Sequence, residues 1–148
     1  MNAEEFVKEF ASAWATRSPE AFLHLWHSDG VLDHPSISRP LPSHLTPALR
    51  RKWYSLLPDL EWTLLSWGAS GKTVFIEWEC SANLNGQPLE WRGVDKFTLR
   101  DGRIEREVVY SDNLYLWQIL DPSMKRPALV DADSLSLSSL MPKGTAAS

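Results

Sequence analysis

The spacing of hydrophobic positions changes partway along the chain. Phe6, Val7, Phe10, Ala13 and Trp14 recur at helical spacing, and Asn2 with Glu5 three residues later has the form of a capping box. A helix is therefore predicted over roughly residues 3–16. Ser18-Pro19 is a second start signal, a cap followed by a first-turn proline. The second helix carries Phe22, Leu25 and Trp26 on its buried face and ends at Ser28-Asp29-Gly30. Val31 to His34 reads as a short strand, followed by a loop with Pro35, Pro40 and Pro42. Thr46-Pro47 opens a third helix bearing Leu49, Trp53, Leu56 and Leu57, stopped by Pro58-Asp59.

From Leu60 onward the period falls to two. Strands are predicted over 60–67, 73–84, 89–100 and 103–112. They are joined by the turn GASGK and by the hairpin signals Asn85-Gly86 and Asp101-Gly102. Residues 114–120 form a short closing helix or strand, and beyond Pro122 a Ser-, Pro- and Ala-rich tail is expected to be mobile or loosely docked. The expected fold class is α+β: three N-terminal helices on a strongly curved, mostly antiparallel sheet, forming a cone with an internal pocket. Residues 1–120 make one domain and 121–148 the tail. The outer face of the sheet needs cover, for which a second copy is expected, giving a homodimer.

Composition narrows the function. The 148 residues carry a net charge of −4, which gives no footing for nucleic-acid binding. Arg50-Arg51-Lys52 reads as a solvated helix face. The single Cys80 allows no internal disulfide, the N-terminus is acidic, and no apolar run is long enough to span a membrane. A cytoplasmic protein is expected. Eight tryptophans suit an apolar pocket as well as a core.

Asp95 is the leading candidate for chemistry. Strand alternation puts it on one face with Trp91, Gly93, Phe97 and Leu99, while Arg92, Lys96 and Thr98 fall on the other. Burial among apolar groups raises a carboxyl pKa and can leave a neutral acid able to donate a hydrogen bond. Asp33 and His34 are adjacent, so only one of them enters the pocket, and alternation leaves open which. His34 titrates in the range useful to a general base. Tyr110 shares a face with Ile104, Val108, Asp112 and Leu114 and is expected to offer a hydroxyl to the pocket. Trp91, Phe97, Phe10, Trp14 and Trp53 complete the expected substrate lining. Glu77 and Glu79 oppose the apolar Val74/Ile76/Trp78 face and read as surface or dimer-facing. His24 and His27 lack a third ligand, so no metal is expected. Without a Gly-rich phosphate loop, nucleophile elbow or Cys-x-x-Cys pair, no nucleotide or other cofactor is expected.

The stretches FVKEFASAW, LHLWHSDGVLDHP, LLPDLEW and WRGVDKFTLRDGRIEREVVYSDNLYLWQIL, taken in order, resemble the SnoaL-like polyketide cyclase group. That group lies in the nuclear-transport-factor-two-like superfamily, which includes ketosteroid isomerase. The resemblance implies a helix-lined pocket, frequent dimers and chemistry without metal or organic cofactor. It places Asp95 at the protonated oxyanion-binding Asp of ketosteroid isomerase, whose neutral carboxyl is a standard illustration of such tuning. His34 falls where that enzyme has its base before a proline. Phe10 stands where it has an oxyanion Tyr. Val109 stands where the SnoaL-type cyclase and limonene epoxide hydrolase have a final-strand Asp. Glu77-Trp78-Glu79 lacks the Arg of the epoxide hydrolase's Arg-x-Asp.

The expected function is cofactor-free proton transfer (isomerisation, cyclisation or dehydration) on an apolar carbonyl compound. His34 or Asp33 would be the base and Asp95 the donor. The alternative is a domain that binds an apolar ligand or a protein without catalysis; epoxide opening is a further option.

Overall fold

A computed structural model describes residues 1–128. Helix α1 spans Ala3–Ala15. Its capping box is formed: Glu5 N–H donates to Asn2 Oδ1 and Asn2 N–H to Glu5 Oε2, each at 2.9 Å. Its stripe of Phe6, Val7, Phe10 and Ala13 is buried.

The second helix is shorter than its sequence pattern suggests. It is a 3-10 helix over Pro19–Leu25, and Trp26 already begins strand β1, Trp26–Asp33. Ser28-Asp29-Gly30 therefore lies inside a strand and does not end a helix. Gly30 explains the difference: a Cβ there would lie 2.8 Å from the Ile104 carbonyl oxygen and 2.8 Å from the Trp26 ring. Glycine serves here for close backbone approach, not as a helix stop.

Strand β2 is only Leu41–Pro42, and α2 covers Thr46–Leu56. Strands β3 (Glu61–Ser70), β4 (Thr73–Leu84), β5 (Gln87–Arg100) and β6 (Arg103–Ser111) follow, and α3 (Leu114–Leu120) closes the described domain. The GASGK segment is mostly strand, with the turn confined to Gly71-Lys72. Asn85-Gly86 and Asp101-Gly102 have positive φ at both positions, as tight hairpins require. The expected tail lies beyond the described residues from 129 onward.

The six strands form one sheet in the order β2-β1-β6-β5-β4-β3. All pairings are antiparallel except β1 with β6. This is the α+β, cone-like class anticipated from the sequence. On the inner face, Val74, Ile76, Trp78, Cys80 and Ala82 of β4 meet Leu89, Trp91, Phe97 and Leu99 of β5 beneath the helices. Phe6 and Phe10 of α1 pack edge-on against Phe97, with ring centroids 5.0 Å apart in both pairs. Among the described residues no helix is long and apolar enough to cross a membrane.

Candidate active site

The helices and the inner sheet face enclose a narrow cavity of about 60 Å³. Its walls include Trp14, Trp53, Trp62, Trp78 and Trp91, and its polar lining is Asp95, Glu107, Arg50 and His34, with Cys80 and Tyr115. Tyr115 of α3 stacks flat on Trp91, 4.2 Å between centroids and 8° between planes. A wider groove of about 490 Å³ between α2 and α3 shares Leu49 and Trp53 with the cavity.

Asp95 comes from the regular part of β5, where it pairs with Ile76 and Val109. It is 4% exposed, and the Trp78 indole N–H donates to its Oδ1 at 2.8 Å. Gly93 makes that bond possible. It pairs with Trp78 across the strands, and a Cβ on it would lie 2.4 Å from the indole ring.

Glu107 was not anticipated. Alternation from Ile104 predicts that 104, 108 and 110 share the inner face. The register instead shifts, Leu99 pairing with Ile104 but Thr98 with Arg106, so one extra residue bulges from β6. Beyond the bulge the parity inverts. Glu107 and Val109 turn inward and Tyr110 turns out, 59% exposed on the far face. The expectation that Tyr110 lines the pocket is thereby corrected. Glu107, paired with Phe97, lies diagonally beside Asp95 and is 4% exposed.

Burial pushes the Asp95 carboxyl up to about 7, against the opposing pull of the Trp78 hydrogen bond, the Arg50 charge and a hydrogen bond from Glu107. Burial and the Asp95 charge raise Glu107 further, while Arg50 opposes. The pair therefore releases its first proton from Asp95 near neutrality and keeps the second on Glu107. With one proton left, the carboxylate balances the Arg50 cation and the buried cluster is neutral.

Arg50 also departs from the sequence expectation of a solvated triplet. Arg51 fits that reading, pairing at the surface with Glu20. Arg50 does not. It lies four residues after buried Thr46 and is itself only 7% exposed, with its guanidinium 3.4 Å from the Phe22 ring centroid and 5.0 Å from that of Trp14. The signal was its helical spacing from Thr46 and Trp53.

The adjacent pair Asp33 and His34 is split by the strand. Asp33 faces away from the cavity and forms an ion pair with Arg106. His34 faces the cavity with Leu32, its ring 5.9 Å from that of Trp53. Its Nδ1 accepts from the Ser36 backbone N–H at 3.0 Å and lies 2.7 Å from the Ser36 hydroxyl. Burial first, then the Arg50 charge, lower its pKa to about 4. The imidazole is thus neutral, with its proton on Nε2, and presents a donor to the cavity.

Of the expected substrate lining, Trp14, Trp53 and Trp91 border the cavity. Phe10 and Phe97 do not; both are fully buried in the aromatic core behind it. Among the described residues no three His, Cys, Asp or Glu side chains gather as a metal site.

The profile of the SnoaL-like domain matches residues 7–107, and the chain belongs to that family, within the nuclear-transport-factor-two-like superfamily. No curated protein sequence matches the chain. Among solved structures it is similar to IdmH, a proposed polyketide cyclase from Streptomyces antibioticus, at 18% identity and a TM-score of 0.69, covering 81% of this chain and 99% of that one. TerC, crystallised with polyporic acid, matches at 16% identity and a TM-score of 0.70, covering 80% and 98%. A protein with a ketosteroid isomerase-like fold from Catenulispora acidiphila, in complex with trimethylamine, matches at 19% identity and a TM-score of 0.65, covering 74% and 86%. At these identities the likeness concerns the fold.

Proposed function

We propose that the chain is a cofactor-free enzyme that moves protons on an apolar, carbonyl-bearing small molecule. The observation that carries this reading is the buried Asp95–Glu107 pair in a tryptophan-walled cavity, with one carboxyl poised near pH 7. A base works best when its pKa lies near the working pH. In this reading Asp95, ionised and oriented by Trp78, removes a proton next to the carbonyl. Protonated Glu107 and the Nε2–H of His34 donate to the oxygen as it gains charge. His34 thereby becomes the donor and Asp95 the base, the reverse of the roles suggested by sequence position. The reacting end of the substrate occupies the narrow cavity and its body extends into the groove beside Trp53. The polyporic acid crystallised with TerC supports small-molecule binding by this fold.

The test is proton exchange from an aromatic ketone. 2-Tetralone is incubated with the protein in D2O and loss of its C1 protons is followed by NMR. Exchange above the buffer rate, reduced about 100-fold or more in Asp95→Asn, supports the reading. Exchange at the buffer rate overturns catalysis on such ketones. The cavity's small volume would then favour the second reading, a ligand-binding domain without chemistry.

A further inference from the structure

Among the described residues two arginines, Arg17 and Arg50, lie over aromatic rings, and they differ in one respect. Arg17 lies 4.7 Å from the Tyr54 ring centroid and also donates to the backbone carbonyls of Leu60, at 2.7 Å, and Pro58. Its N–H groups are used, as in an arginine that ties a loop to a helix. Arg50 lies over Phe22 and Trp14 with no hydrogen bond and no ion pair among the described residues, and its Nε is buried without a partner. Stacking occupies the guanidinium faces and leaves its in-plane donors free. Trp14, against which Arg50 stacks, has a second buried N–H without an acceptor. Both side chains line the cavity.

A buried cation and a buried indole N–H, both lacking acceptors, form an unfavourable arrangement unless something in the cavity meets them. Asp95, once ionised, lowers that penalty through its charge, but neither it nor the protonated Glu107 bonds Arg50. A carboxylate or enolate oxygen has the matching chemistry: it carries negative charge and accepts several N–H groups, and guanidinium recognises it in its own plane. An aromatic or conjugated body would then extend past Trp53 into the wider groove.

We infer that Arg50, with Trp14, is the receptor for an anionic oxygen on a planar conjugated substrate. This rests on the cavity being the substrate site, and it narrows the substrate class from apolar carbonyl compounds to those carrying a carboxylate, acidic enol or phenolate. Arg50 is then a substrate-binding residue that sets specificity, separate from the proton-transferring Asp95.

The experiment compares 2-naphthoate with 2-naphthamide, which have the same ring system and differ in charge. Binding is measured by calorimetry at pH 6 in wild type, Arg50→Met, Arg50→Lys and Asp95→Asn. The expected result is naphthoate binding at least about tenfold tighter than the amide in wild type and Asp95→Asn, with the preference abolished in Arg50→Met and partly kept in Arg50→Lys. Equal affinities in wild type, no naphthoate binding into the millimolar range, or a preference surviving in Arg50→Met would overturn the inference. The wild-type comparison decides even where a variant fails to fold. Tetralone exchange without naphthoate preference would remove this inference and leave the proton-transfer reading. Naphthoate preference without exchange would do the reverse.

Discussion

Asp95 and His34 titrate in opposite senses, and each leaves a mark on stability. Asp95 keeps its proton in the folded state up to about pH 7 but loses it near pH 4 when unfolded. The folded state therefore holds the extra proton, and this group makes stability fall as pH rises between those values. His34 is neutral in the folded state down to about pH 4 but protonated below about 6.5 when unfolded. Here the unfolded state holds the extra proton, so this group makes stability rise with pH over that window. Each slope amounts to one proton, about 1.4 kcal/mol per pH unit. Urea unfolding from pH 4.5 to 6.5 should show Asp95→Asn gaining stability relative to wild type as pH rises, and His34→Gln losing it. Parallel curves for all three proteins would contradict the assigned ionisation states.

Asp95 could be found because β5 runs without a break from Trp91 to Phe97, so alternation holds. Glu107 could not, because nothing in RIEREVVYS marks the extra residue that inverts its parity. Arg50 was concealed by its neighbours: three consecutive cations look like one exposed face, although consecutive helical residues point in different directions.

Among the elements, the β4–β5 pairing decides the geometry of the base. Trp78 can cross β5 only because Gly93 has no side chain. Gly93→Ala should displace the indole, cost about 1–3 kcal/mol by overpacking, and raise the Asp95 pKa further by removing the N–H that favours its charged form. Chemical denaturation and the pH dependence of exchange measure the two effects; an unchanged midpoint in both would show that Trp78 does not hold Asp95. Helix α1 and the three hairpins were legible because capping, turn chemistry and periodicity agree there. The 3-10 helix and early β1 were not, because Gly30 serves a tertiary contact that local pattern does not encode.

At the scale of the molecule, the outer sheet face has two rows. Phe75, Lys96 and Val108 stand side by side in one, and Glu77, Val94 and Tyr110 in the next. Phe75 and Tyr110 are exposed, and a two-fold axis across this patch would bring Lys96 toward Glu77 of the second copy while covering the apolar residues. We propose a homodimer through this face. Sedimentation equilibrium should give twice the chain mass at micromolar concentration and a monomer for Val94→Asp; a monomeric wild type would contradict it. The family and fold class were readable from the order of elements. The pairing of buried charges was not, because it depends on strand register and helix rotation together.

At the centre of the site two carboxyls share a proton beneath tryptophan. Infrared spectroscopy of the protonated carboxyl C=O stretch, followed from pH 5 to pH 9, tests this without a substrate. The predicted result is one band lost with a midpoint near pH 7 and absent in Asp95→Asn, and a second that persists beyond it and is absent in Glu107→Gln. Complete ionisation of both groups by pH 5 would contradict the account.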